Sequence, residues 1–280
     1  MTGHAFKRHQ GKKYQENKMD NDKIYDEFSG NYDRFVNWEG RLVLELPFLI
    51  NELSQVKKSI DTPVSVLDIA CGTGQHIIAL QKHGFTGSGA DISEKMVKIA
   101  RENAQAAHLE IPFNQAGFGE LALTYGDQQF DSIICLGNSL PHILDEAAMM
   151  TALADFKSVL RPGGKIIVQN RNFDSILKTH NRWMEPETHR EGELTWIFMR
   201  FYDFDPDGRI TFHIVILYDQ NQGIFQQRLI STRLWPFSYL QLIHWLEKAG
   251  FDDVKLYGNL QGDVFDINQS PNLVVTACAQ

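Results

Sequence analysis

The segment VLDIACGTGQ, residues 66–75, determines the fold class that this sequence specifies. An apolar run ends in Asp68, glycines follow at positions 72 and 74, and helical periodicity resumes after Gly74. This order predicts a buried strand, a tight turn and a helix N-terminus, which together bring backbone N–H groups against a nucleotide-like ligand. We expect Gly72 to relax the turn and Gly74 to permit close approach of the ligand. No glycine lies three residues after Gly74, so the segment is not the dinucleotide pattern G-x-G-x-x-G.

Strands and helices alternate through most of the chain, as they do in proteins with a parallel sheet. A first helix is predicted over residues 24–55, followed by strands over 64–70, 86–92, 111–116, 130–136 and 165–169. Helices are predicted between these strands over 74–83, 93–107 and 145–160, the last one stopped by RPGG at 161–164. A final helix over 238–249 leads to strands over 253–259 and 272–279, one of them reversed. We therefore expect an α/β fold, a Rossmann-like seven-stranded and mostly parallel sheet flanked by helices.

The hydrophobic pattern changes between residues 194 and 234, where apolar and polar residues alternate. Turn sequences at 205–208 (DPDG) and 221–223 (NQG) divide this stretch. The pattern predicts two or three antiparallel strands that form a β lid inserted after strand five. We expect the core domain to comprise residues 19–173 and 238–280, and the lid residues 174–237.

Composition limits the classes of partner and compartment. The 280 residues carry a formal charge of −8, which speaks against a nucleic-acid partner and favours a small molecule. Three cysteines in apolar runs indicate reduced thiols in a cytoplasmic protein. The sequence has no apolar run of membrane-spanning length and no metal-ligand spacing such as C-x-x-C, so neither a membrane nor a metal is expected.

Residues 1–18 carry five Lys or Arg residues and one acid, with almost nothing apolar. We expect this segment to be a disordered leader. Exchange of such a basic arm between subunits would give a homo-oligomer, which the sequence leaves open.

Asp91 lies at the end of the predicted second strand, 23 residues after Asp68. A carboxylate there can accept hydrogen bonds from both ribose hydroxyls of a nucleoside. Nicotinamide-dependent enzymes use the same device, so Asp91 alone does not distinguish between cofactors.

Three further sequence motifs narrow the choice of protein family. They are ICLGNSLPH at 134–142, RPGG at 161–164 and QNRNFDSIL at 169–177. With the first motif they resemble glycine N-methyltransferase and its relatives, which are class I S-adenosylmethionine-dependent methyltransferases. The resemblance covers roughly residues 30–180, and its C-L-G-N-S-x-x-H and R-N-[aromatic]-D strings are more specific than the superfamily's glycine motif.

The resemblance implies a cofactor site for S-adenosylmethionine. Arg41 would hold the cofactor carboxylate, Asp68 would face its amino group and Asp91 its ribose, while Met96 and Phe118 would contact the adenine. The complete cofactor set implied is Arg41, Asp68, Ala70, Cys71, Gly72, Gly74, Asp91, Ile92, Met96, Gly117, Phe118, Leu136, Gly137, Ser139 and His142.

The resemblance also implies an acceptor site. Asn138 and Arg171 would hold the carboxylate of an amino-acid substrate, a task that suits the planar guanidinium. Tyr25 and Tyr32 would approach the substrate amine. Each residue has a structural alternative: Arg171 pairing with an acid, Asn138 capping a turn, and the tyrosines packing in the core. His142 in the cofactor set has the same alternative as a packing residue.

Two positions depart from the family pattern. Phe173 replaces the tyrosine of its R-N-Y-D string, and Gly117 stands where a polar residue often meets the adenine amine. The function we expect is methyl transfer from S-adenosylmethionine to a small molecule, the nitrogen of an amine or a glycine-like amino acid. Alternatives are a small-molecule O-methyltransferase, a non-catalytic cofactor-binding regulatory protein and a nicotinamide dehydrogenase.

Overall fold

The computed structural model describes residues 21–56, 62–219 and 223–280. The leader expected at 1–18 and most of the turn expected at 221–223 lie outside these ranges. The helices are α1 (Asn21–Phe35), α2 (Trp38–Ser54), α3 (Gln75–Lys82), α4 (Glu94–Ala106), α5 (Leu121–Tyr125), α6 (Glu146–Ser158), α7 (Phe173–Thr179) and α8 (Tyr239–Lys248). The strands are β1 (Ser65–Ile69), β2 (Thr86–Asp91), β3 (Phe113–Gln115), β4 (Phe130–Cys135), β5 (Leu160–Arg171), β6 (Glu187–Glu191), β7 (Leu194–Phe204), β8 (Ile210–Asp219), β9 (Phe225–Leu234), β10 (Phe251–Tyr257) and β11 (Asn272–Ala279).

Seven strands form the central sheet in the order β10-β11-β5-β4-β1-β2-β3. The pairs from β5 to β3 are parallel, and β11 is antiparallel to both of its neighbours. This confirms the expected mostly parallel sheet with a reversed strand. Because parallel strands end at one edge, β1, β2, β4 and β5 present the residues that follow them on the same side of the molecule.

The sheet is covered on both faces, as parallel strands require. One buried cluster contains Phe156 of α6 and Trp245 of α8, and the other contains Leu49 of α2 and Ile77 of α3. Both clusters include side chains of the central strands, so the core runs through the sheet.

The insertion is a second sheet with the order β6-β7-β8-β9, antiparallel throughout. It has four strands where two or three were expected, because β6 begins at Glu187, before the alternation that the sequence shows. Ile214 and Ile230 of this sheet belong to one buried cluster with Ile24 and Phe28 of α1. The lid therefore packs on the first helix.

The long helix expected over residues 24–55 is wrong, since α1 and α2 are separate. The Asn37 side chain accepts a hydrogen bond from the Gly40 N–H at 3.1 Å and so caps α2. An Asn before a new helical turn is a common start signal. Two short helices, α5 and α7, were not expected, and β5 begins at Leu160 so that RPGG lies within the strand. Within the described ranges, no helix is both long enough and apolar enough to span a bilayer.

A buried ion pair ties α2 to the sheet. Lys165 Nζ lies 2.8 Å from Glu52 Oε2, and both side chains are about nine-tenths buried. Lys165 also donates to the Glu52 carbonyl oxygen at 3.1 Å. Such a pair holds two elements in register, and removal of one partner leaves the other charge buried without compensation.

We expect Glu52→Ala to lower the free energy of unfolding by about 3–5 kcal/mol, because Lys165 would remain buried without its counter-charge. Urea unfolding at neutral pH measures this. Glu102→Ala is the matched control, since it removes an exposed helical pair with Lys98 and should change stability by no more than about 0.5 kcal/mol. Equal effects of the two substitutions would contradict the assignment.

Candidate active site

A cavity of about 680 Å³ lies at the carboxyl ends of β1, β2, β4 and β5, beneath α1 and the lid. Its size is typical of a site for a small molecule or cofactor. All but four of the site residues predicted from the sequence line it. The exceptions are Asp68, Cys71, Gly74 and Leu136, all of them buried.

The two glycines of the turn have different surroundings. Both have positive φ, 54° at Gly72 and 77° at Gly74, which suits glycine. Gly72 lines the cavity, and a Cβ there would lie 3.3 Å from the Tyr32 ring. A Cβ at Gly74 would lie 2.8 Å from the Phe113 ring. The missing side chain of Gly74 therefore makes room for Phe113.

Asp91 is the last residue of β2, and its side chain binds the glycine turn. Its carboxylate accepts hydrogen bonds from the N–H of Gly72 at 2.8 Å and the N–H of Ser93 at 2.9 Å. Burial raises the pKa of Asp91 to about 6, and the Asp26 carboxylate of α1 contributes to this rise. The two hydrogen bonds lower the pKa, but burial outweighs them. Asp26 itself accepts a hydrogen bond from the Ser93 hydroxyl.

Asp68 is buried, and its Oδ2 has no hydrogen-bond partner among the residues that the structure describes. Burial raises its pKa well above the usual range, and the nearby Asp91 carboxylate raises it further. A buried acid without a partner is costly unless a donor or cation completes it. The ammonium group of an amino-acid-like cofactor is the kind of group that fits, so the residues present are suited to S-adenosylmethionine.

The α1 helix is fastened to this turn by Asp33. The Asp33 carboxylate accepts hydrogen bonds from the Thr73 hydroxyl at 2.6 Å, Trp38 Nε1 at 2.8 Å and Asn103 Nδ2 at 3.3 Å. One side chain therefore joins α1 to the glycine turn, α2 and α4. This bonding places Tyr25 and Tyr32 in the cavity wall.

Arg41 lies in a chain of charged and polar groups on α2 and α3. Its Nε contacts Glu45 Oε1 at 2.9 Å, and His76 Nε2 lies 2.7 Å from the other Glu45 oxygen. Burial opposes ionisation of Glu45, but its bonds to His76 and Arg41 outweigh this effect and lower its pKa. The chain keeps the Arg41 guanidinium at the cavity wall.

His142 connects α1 to the lid. Its Nε2 lies 2.7 Å from the Tyr25 hydroxyl, and its Nδ1 lies 3.3 Å from Thr232 Oγ1. Burial lowers the pKa of His142 to about 4 and raises the pKa of Tyr25. Burial also raises the pKa of Tyr32 to about 12. All three side chains are therefore neutral at pH 7.

Asn138 and Arg171 lie together, as expected. Asn138 has a φ of 68° and its Oδ1 accepts a hydrogen bond from the Arg171 backbone N–H at 2.8 Å. This bond joins the turn after β4 to the end of β5. The Arg171 guanidinium lines the cavity and makes no hydrogen bond or ion pair with any residue in the described ranges.

Sequence reasoning missed the lid residues Glu187, Arg200 and Tyr202, which line the same cavity. A signal was present, because Trp196, Phe198 and Tyr202 share with Arg200 the alternating apolar face of β7. A charged residue on such a face indicates a site. Phe173, the departure from the family string, belongs to the buried cluster of Tyr202 and is not a cavity residue.

The chain is similar in sequence and in fold to known methyltransferases. A family described as "Methyltransferase domain" matches residues 66–164. The glycine/sarcosine N-methyltransferase of Halorhodospira halochloris is 34% identical over 247 residues, which are 86% of this chain and 83% of that protein. The protein of the same name from Parasynechococcus marenigrum (strain WH8102) is 35% identical over 153 residues, 55% of this chain and 52% of that protein. Among solved structures, the CcbJ methyltransferase from Streptomyces caelestis has a TM-score of 0.73 at 22% identity, over 93% of this chain and all of that one.

The neutral state of His142 gives a test that depends on pH. Its pKa is about 4 in the folded chain and about 6.5 when unfolded, so the unfolded chain binds the extra proton between these values. The free energy of unfolding should therefore fall as the pH falls, by about 2 kcal/mol from this group between pH 7.5 and 5. His142→Gln should lose that part of the dependence in urea unfolding.

His244→Gln, which replaces an exposed histidine of α8, is the control and should keep the full pH dependence. A His142→Gln profile parallel to that of the wild type would show that His142 titrates normally in the fold.

Proposed function

The chain belongs to the family of the glycine/sarcosine N-methyltransferases and is an S-adenosylmethionine-dependent methyltransferase, and from this premise we propose that it methylates the nitrogen of a small amine bearing a carboxylate, such as glycine or sarcosine. The observation that carries the proposal is the unpaired Arg171 guanidinium in the cavity wall. A planar guanidinium without a counter-ion is matched by a carboxylate, which it can bind with two parallel hydrogen bonds.

The residues around the glycine turn support the placement of the cofactor. Asp68 supplies a buried carboxylate for an ammonium group, and Arg41 supplies a cation for a carboxylate. Asp91 stands at the end of β2, where carboxylates of this fold receive ribose hydroxyls. Met96 and Phe118 line the wall beyond it and offer apolar surface to a base. S-adenosylmethionine, when bound, supplies a methyl group that is already electrophilic.

The other wall of the cavity supports the placement of the acceptor. Arg171 projects from the end of β5, and Asn138 fixes the backbone at that point. Tyr25, Tyr32 and His142 are neutral and largely withdrawn from water. An uncharged, desolvated wall disfavours an ammonium ion and favours the free amine, which is the form that attacks.

Catalysis then rests on position. The Asp33 bonds hold α1 over the cavity, and the His142 bonds join α1 to the lid. Holding the nucleophile and the methyl group in line at roughly 3 Å supplies most of what such a transfer needs. No described group of three or more His, Cys, Asp or Glu residues has the arrangement of a metal site.

We expect Arg171→Gln to raise the KM for glycine or sarcosine by about 100-fold, because the acceptor carboxylate loses a charged, two-pronged partner. The dissociation constant of S-adenosylhomocysteine should stay within about twofold of the wild type. Release of S-adenosylhomocysteine measures turnover, and Arg190→Gln, an exposed change on β6, is the control. Turnover of glycinamide as fast as of glycine, or an unchanged KM, would move the acceptor to another class.

We expect Asp68→Asn to weaken S-adenosylhomocysteine binding by about 10- to 100-fold, since a hydrogen bond to a charged partner is lost. Titration calorimetry measures this. Asp155→Asn is the matched control, because Asp155 is equally buried but accepts hydrogen bonds from the N–H groups of Leu121 and Ala122. An unchanged affinity in folded Asp68→Asn would remove Asp68 from the cofactor site.

A further inference from the structure

Arg200 brings a second guanidinium to the acceptor end of the cavity. It lies on β7 opposite Ile214, on the face of the lid sheet that also carries Tyr202. Its side chain is only 13% exposed, and its buried Nε has no hydrogen-bond partner within the described ranges. Arg171 and Arg200 line the same cavity. Burial lowers the pKa of Arg200, and the charge of Arg171 lowers it further.

The surroundings compensate Arg200 only in part. One of its nitrogens, Nη2, donates to the Glu185 carbonyl at 3.0 Å and to Glu187 Oε1 at 3.2 Å. The Glu187 side chain is half exposed, so water screens its charge. The guanidinium plane also lies over the Phe35 ring, 5.1 Å from its centroid. These contacts hold Arg200 at the wall and leave its Nε edge unsatisfied.

The charges near this end of the cavity do not balance. Arg171 and Arg200 give two positive charges, Glu187 gives one negative charge, and Tyr202 is neutral because burial raises its pKa to about 12. One anion at this position would balance the set. Two cations close to each other in a site of low dielectric constant repel strongly unless an anion separates them.

We propose that Arg200 is a second binding group for the acceptor carboxylate, which bridges Arg171 of the core and Arg200 of the lid and competes with Glu187 for the latter. The proposal rests on the proposed function, and it makes the lid a determinant of specificity. Acceptors with a carboxylate join the two sheets through the bridge, whereas amines without one leave the two guanidinium groups facing each other.

Acetate bound to the protein saturated with S-adenosylhomocysteine tests this, because acetate carries the carboxylate and has no amine to methylate. Calorimetry would compare the wild type with Arg200→Gln, Arg200→Lys and Glu187→Gln. Arg200→Gln should weaken acetate binding about 10- to 100-fold, and Arg200→Lys by less, since it keeps the charge without the fork. Glu187→Gln should strengthen acetate binding about threefold or more, because the competing carboxylate is gone.

Arg228→Gln is the matched control. Arg228 lies on the same face of the lid sheet and pairs with Glu27 at 2.7 Å, outside the cavity, so acetate binding should not change. Wild-type affinity in folded Arg200→Gln, or no acetate binding by the wild type, would overturn the proposal. If Arg200→Gln does not fold, Glu187→Gln decides: tighter acetate binding supports the bridge, and equal or weaker binding overturns it.

The proposed function can fail separately. A wild type that transfers no methyl group to glycine or sarcosine would overturn the acceptor assignment. The acetate series would still show whether Arg171 and Arg200 form an anion site.

Discussion

Strands β1 and β2 run in parallel with Asp68 opposite Gly89, and so bring Asp68 and Asp91 to the same edge of the sheet. Both carboxyl groups are buried, and burial raises the pKa of each. The Asp91 carboxylate accepts hydrogen bonds from the backbone N–H groups of Gly72 and Ser93, and these bonds fix the glycine turn and the start of α4. One oxygen of Asp68 has no hydrogen-bond partner among the described residues, and a cationic group beside it would favour the ionised carboxylate.

At the other end of the cavity, under the lid, the partly buried charged groups are positive. Arg171 and Arg200 crowd positive charge where β5 meets the lid, and the described residues offer only the half-exposed Glu187 in return. Between the two ends lie neutral groups, the tyrosines of α1 and His142. The cavity thus has carboxyl groups with Arg41 near them at the glycine turn, and two guanidinium groups under the lid.

The central sheet could be predicted almost strand by strand, because apolar runs, Gly turns and capping residues are local signals. Ser93 and Ser238 cap α4 and α8 as their positions suggest. The meeting of Asp68, Gly72 and Asp91 at one edge of the sheet could also be predicted, since the ends of neighbouring parallel strands lie side by side. The role of Gly74 could not be foreseen, because its neighbour Phe113 is supplied by a strand almost forty residues away.

The lid shows the limit of such reasoning. Its alternating pattern predicted antiparallel strands, but the pattern does not indicate which face of the sheet lies toward the cavity. Arg200 lines the cavity only because its face of the sheet is the one that lies there. The break between α1 and α2 was missed for another reason: Asn37 interrupts a pattern whose apolar spacing continues on both sides. Long-range contacts decide how the lid faces the cavity, whereas a local capping residue decides the break between the two helices.

The packing of α1 against the lid has a consequence for how the chain is made. Phe28 belongs to one buried cluster with Phe198, Ile214 and Ile230, residues that a ribosome adds about 200 positions later. At about 5–20 residues per second, the apolar face of the first helix waits some 10–40 s for its native partners. The helix that closes the cavity therefore leaves the ribosome well before the lid strands that bury it, so this face is available to chaperones during that interval.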